Sequence, residues 1–67
     1  MLDIKYAADR CLRFLAENGY DPVACAKVPI MSKVMLAWVN EENDDITTLK
    51  IIENLNILTG EKLKKGN

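Results

Sequence analysis

Two prolines seven residues apart, Pro22 and Pro29, constrain the middle of this chain more than any other feature. Asp21-Pro22 reads as a helix start: the aspartate caps the N-terminus, and proline is tolerated at the first helical position because its missing N–H would be unpaired there anyway. Pro29 cannot donate to a continuing helix and pushes Val28 toward extended geometry, so the helix begun at Pro22 must stop at about Lys27.

The same punctuation recurs on both sides. A first helix is expected from about Asp3, its cap, to Asn18, with Ile4, Ala8, Cys11/Leu12 and Leu15 as its apolar stripe and Gly19 as its left-handed stop. Its other face, Lys5-Asp9-Arg13-Glu17, alternates in sign at i,i+4 spacing and reads as a solvated ladder. Ser32 is expected to cap a third helix reaching Glu42 or Asn43, and Asp44 or Asp45 a fourth. That fourth helix carries Ile46, Leu49, Ile52 and Leu55 at helical spacing, with Asn56 as its terminator. Thr59 then caps a last turn in which Glu61 comes early and Lys64 and Lys65 late, the order the helix dipole favours. Nothing reads as a strand; the nearest stretch, Asn56 to Thr59, is too short. The expectation is an all-α fold, a compact bundle of four to five short helices in which Leu12, Leu15, Val28, Leu49, Ile52 and Leu55 contribute to the core.

Composition narrows the chemistry. Sixty-seven residues make one domain, residues 1–67, with no room for a second. A chain of this size buries only about 60% of the surface its unfolded form exposes, so dimerisation or partner binding is a natural support. There is no His, one Ser (Ser32) and three Gly, so no enzyme, catalytic residue, metal or cofactor is expected. Cys11 and Cys25 fall well short of a disulfide framework and read as buried free thiols in a cytoplasmic protein. The longest unbroken apolar run, Val34-Met35-Leu36-Ala37-Trp38-Val39, is far shorter than the roughly 20 residues of a membrane span, and the N-terminus lacks the layout of a signal peptide.

Charge is unevenly placed. Residues 1–18 balance and residues 19–40 carry +1; residues 41–53 carry −4 through Glu41, Glu42, Asp44, Asp45 and Glu53 against Lys50; the remainder recovers +2. A dedicated non-specific nucleic-acid binder would be strongly basic, and this chain is not. The oxygen-rich stretch from Asn40 to Asp45 does not make a calcium loop, because Asp45 stands where the sharp-turn Gly is required and Ile51 where the bidentate Glu is required.

The order of long helix, short helix, turn, apolar-rich helix, capped helix and final turn resembles the lambda-repressor and Cro type of helix-turn-helix domain. The resemblance is carried by Leu12-Arg13-Phe14-Leu15-Ala16-Glu17-Asn18-Gly19 and by the stretch from Asp44 to Ile57 followed by Glu61-Lys62-Leu63, and it spans about 50 residues. Two registers fit the middle. In one, Cys25 is the family's small buried residue, Val28 and Ile30 fill apolar slots, Pro29 replaces the usual turn Gly and Trp38 is the buried aromatic. In the other, Ala26 is the small residue, Ser32 the cap of the recognition helix, Leu36 and Val39 the core positions, and Trp38 turns outward.

The resemblance implies a transcription regulator that binds operator DNA as a dimer, with its third helix in the major groove. Ser32, Lys33, Ala37 and Asn40 are then the reading and contact positions and Lys27 lies near phosphate, while the tail lysines are auxiliary contacts. The competing expectation is a protein-interaction module on the same scaffold, such as an antirepressor acting on a phage-type repressor. Val34, Met35, Trp38 and Val39 are the run's core candidates, yet six consecutive apolar residues cannot all face inward on a helix. Exposed members among Val34, Met35, Leu36 and Trp38, rimmed by Glu41, Glu42, Asp44 and Asp45, would form the partner surface.

Overall fold

The computed structural model describes residues 4–66. Among them are four α-helices: α1 (Ile4–Glu17), α2 (Pro22–Ala26), α3 (Met31–Val39) and α4 (Asp45–Leu58). No strand is present among the described residues, and the all-α bundle expected from the sequence is what forms. The expected Asp3 cap lies outside the described residues, as does the side chain of Ile4.

Two of the helix starts follow the sequence. The Asp21 carboxylate accepts from Val23 N–H at 3.0 Å ahead of Pro22, and the Asp44 carboxylate accepts from Thr47 N–H at 2.8 Å ahead of α4. Hydrogen bonds from the Thr47 hydroxyl and the Thr47 N–H hold the Asp44 carboxyl below its ordinary range. The third start differs. Ile30 is the residue before α3, its backbone already helical at φ −80°, and its carbonyl accepts from Lys33 and Val34 N–H. Ser32 therefore lies inside the helix and caps nothing.

Three helices end in the same way. After α1, Tyr20 N–H reaches Leu15 O and Gly19 N–H reaches Ala16 O; after α3, Glu42 N–H reaches Ala37 O and Glu41 N–H reaches Trp38 O; after α4, Glu61 N–H reaches Asn56 O and Gly60 N–H reaches Ile57 O. Each is a Schellman closure, which needs a left-handed residue at its pivot. Glycine supplies it at Gly19 (φ 88°) and Gly60 (φ 78°), whereas Glu41 supplies it at φ 64°. Gly60 thus ends α4, not Asn56.

The core gathers Cys11 and Leu15 from α1, Tyr20, Cys25 from α2, Met31, Val34 and Met35 from α3, Ile52 from α4 and Leu63 from the tail. Leu12, Val28, Leu49 and Leu55 are half-buried against it. Both cysteines are buried and free. Burial, and next the neighbouring Cys25, pushes the Cys11 thiol up to about 11; burial, then Asp21, raises Cys25 as well.

Two expectations about α4 and the tail are corrected. Ile46 is 66% exposed, because the buried face of α4 is centred on Thr48, Ile52 and Asn56; the rest of the expected stripe holds, with Ile52 buried and Leu49 and Leu55 half-buried. The tail forms no fifth helix. It runs as turns and bends beside the turn after α1, with Asp21 N–H bonded to Leu63 O at 2.7 Å, Lys65 N–H to Gly19 O at 3.0 Å and Tyr20 bridged antiparallel to Lys64. Asn56, buried in α4, holds this tail by accepting from Leu63 N–H at 2.9 Å.

Candidate nucleic-acid interface

The α2–turn–α3 unit positions the main residues expected to meet DNA, Lys27, Ser32, Lys33, Ala37 and Asn40; the tail lysines follow α4. Its turn, residues 27–30, contains no left-handed residue. Proline is therefore acceptable at position 29, where a turn of the usual glycine type would exclude it. Of the two sets of core positions that fit the middle of the chain, the structure buries Cys25 and half-buries Val28 and Trp38, and it leaves Ala26 exposed. Ile30, at 50% exposure, departs from that set.

α3 has two chemically different ends. At its start, Lys27, Ser32 and Lys33 are exposed, and their side chains hold no hydrogen bond or ion pair among the described residues. Lys27 borders two shallow grooves. One, of about 310 Å³, it shares with Ser32, Pro29 and Met35; the other, of about 420 Å³, it shares with Val23, Lys62 and Leu63. Lys27, Val28 and Pro29 line both grooves, with Ser32 bordering one and Lys62 the other. Ala37 is half-buried and Asn40 is exposed at the far end of the helix.

The far end is internally committed. Trp38 stacks on Phe14 of α1, with ring centroids 4.6 Å apart and an interplanar angle of 13°. Its indole N–H donates to the Asp45 carboxylate at 2.8 Å, and the Arg10 guanidinium sits 5.4 Å from its ring centroid. An open depression of about 630 Å³ lies beside this cluster, bounded by Arg10, Trp38, Val39, Asn43 and the acidic turn.

This geometry corrects part of the expected partner surface. Val34 and Met35 are buried, at 7% and 6% exposure, because α3 turns that side onto the core. Leu36 and Trp38 are half-buried, so no member of the six-residue apolar run is fully exposed. Asp44 caps α4 and Asp45 receives the Trp38 indole, while Glu41 and Glu42 remain exposed.

The sequence reading missed the Phe14–Trp38–Arg10 stack and the Glu41 pivot. Phe14 and Trp38 lie on different helices, and no local spacing links them; the Glu41 turn bears no glycine to announce it. Among the described residues, no helix is long and apolar enough to cross a membrane and no group of acidic or cysteine side chains could hold a metal ion. Protein-family models, curated proteins and solved structures yield no match to this chain.

Proposed function

We propose that this chain is a small phage-type transcription regulator that binds operator DNA through α3 and the turn before it. One observation carries the reading: the Lys27, Ser32 and Lys33 side chains stand exposed around the start of α3 with no partner among the described residues. That is where a helix-turn-helix presents its contacts to base edges and phosphates. An α-helix with its side chains is about 10–12 Å across, a width the major groove of about 12 Å admits. The acidic turn lies at the opposite end, where half of its carboxylates serve capping and the Trp38 contact. Its negative charge need not face the duplex.

The second reading, an inhibitor module that meets a nucleic-acid-binding protein, is favoured by Glu41. A non-glycine residue held left-handed costs roughly 1–2 kcal/mol and invites a functional explanation. With Glu42 it offers exposed negative charge to a basic partner.

Fluorescence anisotropy with DNA flanking the chain's own gene, at about 50 and 200 mM salt, tests the first reading. Sequence-preferring binding is expected. Lys33→Ala should weaken it and, where Lys33 meets phosphate, reduce the slope of log K against log salt by about 1. Absence of sequence preference at both salts overturns the reading. Capture of a purified phage-type repressor, weakened by Glu41→Gln with Glu42→Gln, would establish the second.

A further inference from the structure

The outward face of α4 carries four large exposed side chains in a regular pattern. Ile46, Lys50, Glu53 and Ile57 follow one another at steps of four, three and four residues, which puts them on one side of the helix. Thr48, Ile52 and Asn56 occupy the buried side. Ile46 and Ile57 are 66% and 63% exposed, large β-branched side chains with no core to fill. Lys50 and Glu53 are exposed as well, and neither makes an ion pair among the described residues.

The order apolar, positive, negative, apolar has a two-fold centre between residues 51 and 52. Rotating a second copy about that centre sets Ile46 against the partner's Ile57 and Lys50 against the partner's Glu53, and the symmetry repeats both contacts. A parallel arrangement would instead oppose lysine to lysine and glutamate to glutamate, so the charges select one orientation. We infer that α4 is the contact surface of an antiparallel homodimer, with Ile46 and Ile57 as its apolar ends and the Lys50–Glu53 pairs at its centre. The interface is isologous, as closed two-fold dimers require. It rests on α4 alone and does not depend on what α3 binds.

Fourteen residues give a helix about 21 Å long. Two such helices bury less than the roughly 1,200 Å² of a stable interface, so the dimer is weak, with a dissociation constant on the order of 100 µM.

Sedimentation equilibrium without DNA, from about 10 µM to 1 mM, reads the association directly. A monomer–dimer equilibrium is expected. Ile46→Ser combined with Ile57→Ser should weaken it at least about tenfold. Lys50→Glu or Glu53→Lys alone should also weaken it, and the two together should restore it, because the swapped charges again oppose. All four positions are exposed, so circular dichroism should remain unchanged in every variant. A monomer throughout the range, a dimer indifferent to the serine pair, or a charge swap that fails to restore association would overturn the inference. Any of these would leave the DNA-binding test of α3 unaffected.

Discussion

The two ends of α3 differ in how their polar and aromatic groups are used. At the C-terminal end, the Trp38 ring is stacked, its N–H is bonded, the last carbonyls are closed by Glu41 and Glu42, and the next helix is capped by Asp44. At the N-terminal end, no side chain caps the helix, and Lys27, Ser32 and Lys33 point to solvent. Groups already satisfied inside a fold have little left to offer a partner; groups that stabilise nothing are free to be spent on one. The contrast places the committed polar and aromatic groups of α3 at one end and its candidate contacts at the other.

The largest effect should come from breaking the closed end. Trp38→Ala removes the stack on Phe14, the Arg10 contact and the bond to Asp45 together, and should cost about 3 kcal/mol in urea unfolding. Lys33→Ala in the same assay should change stability by less than about 0.5 kcal/mol. Comparable losses from the two substitutions would erase the distinction between the ends.

In α4, Thr48 is fully buried and its hydroxyl has no hydrogen-bond partner among the described residues. A buried unpaired hydroxyl carries its full desolvation penalty, so Thr48→Val, which keeps the shape, should stabilise by about 1–2 kcal/mol. A loss of stability would mean that the hydroxyl is bonded in solution. At the pivot after α3, Glu41→Gly relieves a left-handed backbone and should add about 1 kcal/mol. If Glu41 also meets a basic partner, the same variant gains stability while losing that partner, and isothermal titration against it separates the two effects.

Acid sharpens the comparison through Asp44. Its carboxyl is held below the ordinary value of 3.8 by the Thr47 hydrogen bonds. The folded state therefore favours the ionised form, and the resulting stability is present above 3.8 and lost as pH falls through the lower folded value. Amide exchange should show the first turn of α4 loosening below about pH 4, and Asp44→Asn should make that loosening independent of pH.

Local chemistry made much of the architecture legible. Asp21, Pro22, Gly19 and Asp44 each act within a few residues, and each does what its side chain or backbone preference dictates. Apart from the Ser32 cap and the Glu41 pivot, the failures involve distant partners. Asn56 looks like a terminator until Leu63, seven residues on, is seen bonded to it. The buried face of α4 includes the polar Thr48 and Asn56, so a reading of apolar period rotates the helix toward Ile46. The tail's residues have helical signals, but the backbone of Gly19 and Asp21 offers them other hydrogen-bond partners. For the site, the exposure of Lys27, Ser32 and Lys33 was readable from polarity, whereas the burial of Val34 and Met35 depended on which side of α3 meets α1.

The smallest effect distinguishes two accounts of Ser32. As a cap, the role its sequence position suggests, its hydroxyl would accept an N–H from the first turn, and Ser32→Ala would cost about 1 kcal/mol. In the structure it stands one residue inside α3, exposed and with its hydroxyl unbonded among the described residues, while Ile30 begins the helix. Alanine is the better helix former at such a position, so Ser32→Ala should instead stabilise by about 0.5 kcal/mol. The sign of the change, read from a thermal or urea midpoint, decides between them. A gain in stability accompanied by weaker binding to operator DNA would show that the hydroxyl is held for an outside contact. A loss would return Ser32 to the cap and remove one of the three groups on which the open end of α3 is defined.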